Sequence, residues 1–448
     1  GMHDGQHIRL PEPTMPGCSP WLSPEWSPPS AWGCRSPSLV LDALVTAAAV
    51  GTPAPASAPP TYGQVDEGVL AQLRSIVGEQ YVLVTDGDIE PFSRDATPLM
   101  QAVPDAVVLP ESTEQVAEVL RLATARRIPV IPRGAGSNLS GATLAEFGGI
   151  VLALTRMRRI REVAPNELLA VVEPGVTTAE LDVAAAAQGL LYAPDPGSRT
   201  VSTVGGNVAM CAGGLRGLKY GVTRNYVLGL EVVLPTGEVI RTGGRLWKDV
   251  AGYDLTRLLT GSEGTLGVIT EITVALVPMP ATSRTGVAYF DSLADASTAV
   301  AAIIADGVLP ATLEFLDQRC IAAVDDFAAL GLDREAGALL LFGDDGSEQT
   351  AAASVARMAD IAADNKARDV TLARDIAEAE ALLYARRCSL PALARLGPVT
   401  MLEDATVPRP RMPEMVERIE AIADSYGLVC ATFGHAGDGN LHPTIVFD

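Results

Sequence analysis

The stretch that decides the fold spans residues 132–141 and reads PRGAGSNLSG. It follows an apolar run, Ile128–Ile131, that predicts a short strand. Small residues let backbone N–H groups approach a phosphate closely, and Ser137, Asn138 and Ser140 add side-chain donors. The pattern is neither G-x-G-x-x-G nor G-x-x-x-x-G-K-[ST], so it predicts neither a Rossmann fingerprint nor a P-loop.

Two further glycine-rich segments share this character. Residues 194–209 read PDPGSRTVSTVGGNVA, and residues 260–270 read TGSEGTLGVIT. Three structural turns are the simplest alternative, but the density of glycine exceeds what turns require. We expect the three segments to meet at one sheet edge and to hold an extended ligand with a pyrophosphate in its middle.

Histidine is rare in this chain, and its distribution predicts a second site. There are only four histidines, of which His3 and His7 lie at the N-terminus. His435 and His442 bracket a glycine-rich turn, GHAGDGNLHP at 434–443, that can fold both imidazoles toward one point. Because two imidazoles are good ligands for Zn²⁺ or Fe²⁺, the pair predicts a metal or substrate site. The alternative is two unrelated core or surface histidines.

The composition limits the class of protein. The chain has 448 residues, of which 48% are hydrophobic and 19% charged, and this excludes a disordered or fibrous chain. The net charge of −21 argues against nucleic-acid binding, and no apolar run is long enough to cross a bilayer. Six scattered cysteines without a C-x-x-C pair indicate a reducing compartment. We expect a cytoplasmic protein, at most held at the inner face of the membrane by a partner.

Three regions follow from the sequence pattern. Residues 1–62 hold 12 of the 32 prolines and predict a disordered extension, although 39–58 faintly resembles a signal peptide. We place a domain boundary at 282, which makes 63–282 and 283–448 two domains. The second domain predicts an antiparallel sheet covered by helices, an α+β arrangement.

Local patterns predict individual elements. Ser112 with Gln115 and Thr177 with Glu180 are spaced as capping boxes, so helices should begin there. Further predicted strands are Val227–Leu234, Val239–Thr242, Gly267–Leu276, Thr312–Leu316, Ala338–Phe342, Val399–Leu402 and Leu428–Phe433. Predicted helices of the second domain lie near 318–330, 348–363, 375–388 and 410–425.

The three glycine-rich segments, in this order and spacing, closely resemble the FAD-binding domain of the vanillyl-alcohol oxidase/p-cresol methylhydroxylase (PCMH) superfamily. The branch that matches best is the FAD-linked 2-hydroxyacid dehydrogenases, which include the glycolate oxidase FAD subunit, D-lactate dehydrogenase and D-2-hydroxyglutarate dehydrogenase. The resemblance runs from Leu70 to Asp448. It implies a two-lobed PCMH-type FAD-binding domain followed by a ferredoxin-like α+β substrate domain.

The resemblance also assigns a role to each segment. It implies that the first holds the FAD pyrophosphate, the second runs toward the isoalloxazine, and the third supports the adenosine half. The implied FAD ligands are Pro132, Arg133, Gly134, Ala135, Gly136, Ser137, Asn138, Ser140, Gly141, Pro196, Gly197, Ser198, Thr203, Gly205, Gly206, Asn207, Ala209, Glu263, Gly264 and Ile269.

The histidine segment matches the G-H-x-G-D-G-N-x-H motif of the same branch. The resemblance implies that His435 and His442 bind a divalent metal, zinc or iron, together with a Glu further downstream. It implies that Asn440 reaches the substrate and belongs with the two histidines to the catalytic group. Such a metal polarises the 2-hydroxyl and carboxylate as a Lewis acid. Arg386 matches the arginine that holds the substrate carboxylate, and a solvated helix charge beside Arg387 is the alternative.

Two features depart from the pattern of the family. No histidine lies between His7 and His435, so a histidine tether to flavin is excluded and FAD should bind non-covalently. Cys211 is the other candidate tether, with a small buried residue as the alternative. The family continues with a helix and a G-E-H-G segment, whereas this sequence stops at Asp448. We therefore expect a truncated substrate domain that lacks the third metal ligand and the base, with impaired turnover.

The resemblance implies a dehydrogenase that oxidises a small D-2-hydroxy acid to the 2-oxo acid by hydride transfer to flavin N5. Electrons would pass to a separate acceptor, such as an iron–sulfur subunit, a quinone or an electron-transfer flavoprotein, since the chain has no cysteine cluster of its own. One alternative is a non-catalytic FAD-binding subunit or an inactive fragment of such a complex. Another is an alkyl-transferring synthase or a reductase with the same FAD domain, against which the histidine motif argues.

Overall fold

A computed structural model describes residues 61–448. The extension predicted at 1–62 lies outside the described residues, apart from its last two positions. Residues 62–448 cluster into one unit. Within the described part of the chain, no helix has the length and apolar character that a membrane crossing requires.

The first half of the unit contains short strands joined by helices and long loops. The strands are β1 (Val82–Leu83), β2 (Ala106–Val108), β3 (Val130–Arg133), β4 (Ile150–Ala153), β5 (Ile160–Ala164), β6 (Leu169–Val172), β7 (Leu190–Leu191), β8 (Val227–Val233), β9 (Val239–Gly243), β10 (Val268–Ala275) and β11 (Val277–Pro278). The helices are α1 (Glu67–Val77), α2 (Asp86–Ile89), α3 (Thr113–Arg126), α4 (Thr178–Ala186), α5 (Val204–Met210), α6 (Gly217–Tyr220) and α7 (Leu255–Leu259). Short 3₁₀ turns lie at Glu79–Tyr81, Glu90–Phe92, Leu154–Arg156 and Thr223–Asn225.

These strands form two main sheets. A four-stranded sheet has the order β1-β2-β4-β3, with β2, β4 and β3 parallel, and a five-stranded antiparallel sheet has the order β5-β6-β10-β8-β9. Leu152 of β4 and Val116 of α3 lie in one buried core, and Val233 of β8 and Val268 of β10 reach into it. The two sheets therefore share a core, which fixes the loops between them.

The two capping boxes differ in the structure. At α4 the box is complete, because the Thr177 hydroxyl accepts from the Glu180 N–H and the Glu180 carboxylate accepts from the Thr177 N–H. At α3 the Ser112 hydroxyl accepts from the Gln115 N–H at 3.3 Å, but the Gln115 amide oxygen accepts from Glu111, one residue earlier. Both helices begin where predicted.

The second half is built on one large sheet. Its strands are β12 (Thr282–Phe290), β13 (Thr312–Asp317), β14 (Ala338–Gly346), β15 (Asp369–Leu372), β16 (Val399–Leu402), β17 (Ala405–Thr406), β18 (Val429–His435) and β19 (Asn440–Phe447). The helices are α8 (Leu293–Ala305), α9 (Gln318–Ala328), α10 (Glu348–Asp364), α11 (Ile376–Arg387), α12 (Ser389–Leu393) and α13 (Met412–Tyr426), with a 3₁₀ turn at Arg409–Arg411. The order of the antiparallel sheet is β15-β12-β14-β13-β18-β19-β16, and β17 pairs with β19.

Helices cover both faces of this sheet. Along β14, Leu340 and Phe342 face the core formed with α8, α10 and α13, whereas Leu339 and Leu341 face the core formed with α9, α11 and α12. This alternation follows from the two-residue period of a strand. The mixed α and β architecture agrees with the predicted fold class, although β12, β15, β17 and β19 were not predicted as strands.

Candidate cofactor and active site

A cavity of about 280 Å³ lies where the three glycine-rich segments meet. The predicted ligands that line it are Pro132, Arg133, Gly134, Ala135, Gly136, Ser137, Asn138, Ser198, Thr203, Gly205, Gly206, Asn207, Ala209, Glu263, Gly264 and Ile269. Ser140, Gly141, Pro196 and Gly197 are not part of this lining.

The expectation that the segments share one sheet edge is wrong. The first segment follows β3 of the four-stranded sheet, whereas the third leads into β10 of the five-stranded sheet. The second is not a loop throughout, because residues 204–210 form α5. The Thr203 side chain caps this helix by accepting from the Gly206 N–H at 3.1 Å. The cavity therefore lies between two sheets and the start of a helix.

Glycines allow the first two segments to approach closely. A Cβ atom on Gly134 would overlap the Thr203 hydroxyl, and one on Gly205 would lie 2.5 Å from Cβ of Pro174. Gly136 has φ +70°, which strains a residue with a side chain, and its Cβ would overlap the Arg133 guanidinium. Neighbouring atoms leave no room for a side chain at these three positions. They therefore require glycine for a reason other than turn conformation alone.

The first segment presents free backbone donors to the cavity. Within the described part of the chain, the N–H groups of Gly134 through Asn138 have no hydrogen-bond acceptor, whereas Gly141 N–H donates to the Thr97 hydroxyl at 2.8 Å. Backbone N–H groups normally find an acceptor, so a run without one indicates a ligand or water. Successive N–H groups in such a loop form a concavity that suits a phosphate.

Arg133 adds a buried cation to the same wall. Its side chain is 6% exposed, and Nη1 donates to the Thr143 hydroxyl at 3.1 Å. Burial lowers the pKa of the Arg133 guanidinium, and the nearby carboxylate of Asp95 opposes that shift. Asp95 also accepts from the Asn138 side chain at 2.6 Å. Arg133 and Asn138 are thus held in place around the loop.

The third segment is fastened to the end of α5. The Gly261 and Glu263 N–H groups donate to the carbonyls of Val208 and Ala209, each at 2.9 Å. Cys211 ends α5 and is half-buried, and it is not among the residues that line the cavity, so the structure gives no support to a cysteine tether. A glycine cradle, free N–H groups and a buried guanidinium together fit a diphosphate-containing ligand such as FAD.

The histidine pair lies on the β18–β19 hairpin. His435 ends β18 and His442 follows the turn in β19, so the two rings stand 5.0 Å apart between centroids at an angle of 87°. Their side chains are 15% and 13% exposed. Gly437 in the turn packs on Leu218 of α6, which belongs to the first half of the unit. The structure therefore brings the two predicted imidazoles together beside the FAD-binding half.

Each imidazole faces a carboxylate through Nδ1. The Glu314 oxygens lie 2.8 and 2.9 Å from Nδ1 of His435, and Asp404 Oδ1 lies 3.1 Å from Nδ1 of His442 without hydrogen-bond geometry. Burial lowers the pKa of His442, and Asp404 opposes that shift. A carboxylate on Nδ1 leaves Nε2 of the ring as a metal ligand.

The donor set fits a divalent metal only in part. Two imidazoles with carboxylates behind them are typical of zinc and iron sites. Among the described residues, however, no group of three or more His, Cys, Asp or Glu side chains is arranged to hold a metal ion. The described residues would thus supply His435 and His442 as ligands and leave the other coordination positions open.

Arg386 is buried beside the histidines. Its Nε donates to Glu314 Oε2 at 2.7 Å, its side chain is 6% exposed, and its guanidinium carbon lies 4.6 Å from the Phe433 ring centre. The alternative of a solvated helix charge is therefore wrong for Arg386. Asn440 lies on the same hairpin, where its Oδ1 accepts from the Thr406 hydroxyl at 3.2 Å.

Glu314 and Asp404 were not predicted from the sequence. Glu314 lies in the strand TLEFLD, which is otherwise apolar except at its ends, and it is 1% exposed. A single carboxylate inside an apolar strand is the signal that could have found it, because buried acids are rare unless they are paired. Asp404 carries no comparable signal in the sequence. It follows Glu403 between two strands, and its side chain is 66% exposed, as is usual for an aspartate.

Comparison with known proteins bears on both halves. The family "FAD binding domain" matches residues 104–243, and the family "FAD linked oxidases, C-terminal domain" matches residues 279–448. The chain is 50% identical over 357 residues to the glycolate oxidase subunit GlcD of Bacillus subtilis (strain 168), covering 80% of this chain and 76% of that protein. It is 33% identical over 392 residues to the mitochondrial D-lactate dehydrogenase (cytochrome) of Arabidopsis thaliana, covering 86% and 68%.

A solved structure supports the fold. The crystal structure of p-cresol methylhydroxylase with substrate bound aligns with a TM-score of 0.71 at 18% identity, covering 85% of this chain and 82% of that one. At this identity the likeness establishes the architecture alone. The relatives and the two matching families establish the rest: the chain belongs to the FAD-linked oxidoreductases of the vanillyl-alcohol oxidase/PCMH superfamily, alongside GlcD and the D-lactate dehydrogenases.

Proposed function

We propose that this protein oxidises a small D-2-hydroxy acid, such as glycolate or D-lactate, to the 2-oxo acid. The observation that carries the proposal is the contact of Glu314 with both His435 and Arg386. The His435 imidazole and the Arg386 guanidinium therefore lie next to each other, because both contact the buried carboxylate of Glu314. A 2-hydroxy acid presents a hydroxyl and a carboxylate on adjacent carbons, so it needs two such groups close together.

Arg386 is the proposed carboxylate ligand. With Nε held by Glu314, its two terminal nitrogens have no acceptor among the described residues. A guanidinium binds a carboxylate through two parallel N–H donors, so these nitrogens suit the acid group of the substrate. The Phe433 ring against the guanidinium fixes the plane in which they lie.

His435 and His442 are the proposed metal ligands, and they lie at the end of the site where the substrate hydroxyl would bind. A divalent metal on their Nε2 atoms would supply Lewis-acid polarisation of the hydroxyl and carboxylate oxygens. Asn440, beside them on the hairpin, is the proposed polar contact to the substrate. Bound FAD would supply the acceptor for the hydride that leaves the alcohol carbon, and the hydroxyl proton would leave to water. The glycine-rich segments would hold that cofactor through their unpaired backbone N–H groups and Arg133, which line the cavity.

A separate electron acceptor is part of the proposal. The B. subtilis relative is named a subunit, which supports a complex in which electrons pass from this chain to a partner. An iron–sulfur subunit, a quinone or an electron-transfer flavoprotein would serve. The described cysteines, Cys211, Cys320, Cys388 and Cys430, are free thiols far apart in the sequence and offer no iron–sulfur motif.

Turnover with an artificial acceptor tests the proposal. The purified FAD-loaded protein, supplied with Zn²⁺, is mixed with glycolate, D-lactate or L-lactate and a redox dye. We expect dye reduction with a D-2-hydroxy acid or glycolate and formation of the matching 2-oxo acid. A second candidate function, a non-catalytic FAD-binding subunit, is favoured by the lack of a three-ligand metal group among the described residues. It predicts bound FAD but no dye reduction with any of these acids.

A further inference from the structure

We propose that Glu314 is a positioning residue that orients His435 and Arg386 together. On this view one buried carboxylate sets the distance between the metal-binding imidazole and the carboxylate-binding guanidinium. The proposal rests on the proposed function and assigns a role to a residue outside the histidine motif.

The geometry of Glu314 carries the inference. Its Oε2 accepts from Nε of Arg386 at 2.7 Å and lies 2.9 Å from Nδ1 of His435, while Oε1 lies 2.8 Å from the same Nδ1. The three residues come from β13, α11 and the end of β18. No other short contact joins His435 to Arg386, so Glu314 links the two among the described residues.

The burial of Glu314 argues against a purely structural role. Its side chain is 1% exposed, and taking a carboxylate out of water costs free energy that an apolar side chain would not. Arg386 alone would balance the charge of Glu314. The additional contact with His435 is not needed for that balance, but it fixes the ring so that Nδ1 carries the proton and Nε2 is free to bind.

The carboxylate beside His442 differs from Glu314 in its surroundings. Asp404 faces Nδ1 of His442, yet its side chain is 66% exposed, and no arginine among residues 61–448 lies within salt-bridge distance of it. Asp404 can therefore support one ring only. Glu314 differs because the same carboxylate reaches both the metal side and the carboxylate side of the proposed substrate site.

The test compares Glu314→Gln with Glu173→Gln in the FAD-loaded protein. A glutamine offers one acceptor oxygen and two N–H donors, so it cannot accept from both His435 and Arg386. Glu173 is a matched control, because it is also 1% exposed and pairs with Arg159 and Arg161 away from the histidines. The readouts are Zn²⁺ affinity by competition with a chelating dye, imidazole ¹⁵N spectra, and KM and kcat for D-lactate.

We expect Glu314→Gln to weaken Zn²⁺ binding about 10–100-fold, as for other partners of metal-binding histidines, and to change the His435 tautomer signal. We expect KM for D-lactate to rise in the same variant and all three readouts to stay unchanged in Glu173→Gln. Wild-type Zn²⁺ affinity and a wild-type His435 spectrum in Glu314→Gln would overturn the proposal and leave Glu314 a counter-charge for Arg386.

The role of Glu314 can still be tested if the variant does not fold or the wild type does not turn over. If Glu314→Gln fails to fold, Glu314→Asp replaces it, since this variant keeps the charge but is one carbon too short to reach both partners. The expected and contradicting results are then the same. If no hydroxy acid is turned over by the wild type, the proposed function fails, but the Zn²⁺ affinity and the imidazole spectra still decide the role of Glu314.

Discussion

Arg387 donates from its two terminal nitrogens to both carboxylate oxygens of Asp195, at 3.1 and 2.7 Å, across 192 residues of the chain. Asp195 belongs to the second glycine-rich segment and is 3% exposed, whereas Arg387 ends α11 on the large sheet. Burial alone would raise the pKa of Asp195, but the Arg387 hydrogen bonds, with Arg216 and Arg199 nearby, hold it below its usual range. This segment therefore joins the two halves as well as lining the cavity.

Breaking this pair should destabilise the protein. Arg387→Met leaves the buried Asp195 carboxylate without its bidentate partner, and we expect the free energy of unfolding to fall by about 3 kcal/mol. Urea unfolding followed by circular dichroism measures the change. Arg374→Met is the control, since Arg374 is 85% exposed and its pair with Glu378 is screened by solvent, so its loss should leave the free energy of unfolding nearly unchanged. Equal effects of the two variants would contradict the role given to Asp195.

The cofactor cradle can be tested at a single glycine. In Gly134→Ala the new methyl group would overlap the Thr203 hydroxyl, which must move and disturb the start of α5. We expect the purified protein to lose most of its FAD, measured as the ratio of absorbance at 450 and 280 nm, on the order of tenfold below wild type. Gly87→Ala is the control, because Gly87 is exposed, its Cβ would meet no atom of the described residues within 4 Å, and it does not line the cavity. FAD retained in Gly134→Ala, or lost equally in both, would contradict the assignment.

The histidine pair should bind metal independently of FAD. His435→Asn and His442→Asn each remove one of two imidazoles that lie 5.0 Å apart, so we expect Zn²⁺ affinity to fall at least about tenfold. FAD content should stay at the wild-type level, since neither histidine lines the cavity. Equilibrium dialysis with metal analysis measures the first quantity. Unchanged Zn²⁺ binding in both variants would argue against a metal site here.

Asp182 should give stability a distinct pH dependence. Burial raises its pKa from 3.8 to about 6, against the opposing charge of Arg199 at 2.5 Å. The folded chain therefore holds this proton more tightly than the unfolded chain, and its contribution to stability is present below pH 4 and lost as the pH rises to 6. Between pH 4 and pH 7 the wild type should therefore lose more unfolding free energy than Asp182→Asn does. We expect the difference between the two proteins to reach at most about 3 kcal/mol. Parallel pH curves for the two proteins would contradict this.

The local patterns explain which parts could be predicted. The capping residues Ser112 and Thr177 and the glycine-rich segments carry their information within a few positions, so helix starts and the cavity loops follow from sequence. Helix α5 was missed because two glycines lower its helix propensity, while the Thr203 cap and the burial of Val204 and Val208 offset that loss.

The polar contacts behind the candidate site could not be predicted in this way. Glu314 meets Arg386 from 72 residues away and His435 from 121 residues away. Nothing in the local spacing of any of these residues specifies a partner. The sheet order that places β13 beside β18 decides the contact, and that order depends on packing over the whole second half.

Anaerobic reduction of the bound flavin shows whether the protein oxidises a 2-hydroxy acid. The FAD-loaded protein with Zn²⁺ is mixed in an oxygen-free cuvette with glycolate, D-lactate or D-2-hydroxyglutarate, and absorbance near 450 nm is followed, with L-lactate as the control. We expect at least one of the three acids to bleach the flavin band, L-lactate to leave it unchanged, and Arg386→Met to abolish the bleaching while keeping FAD. A flavin that stays oxidised with all three acids, yet is bleached by dithionite, would contradict the proposed function.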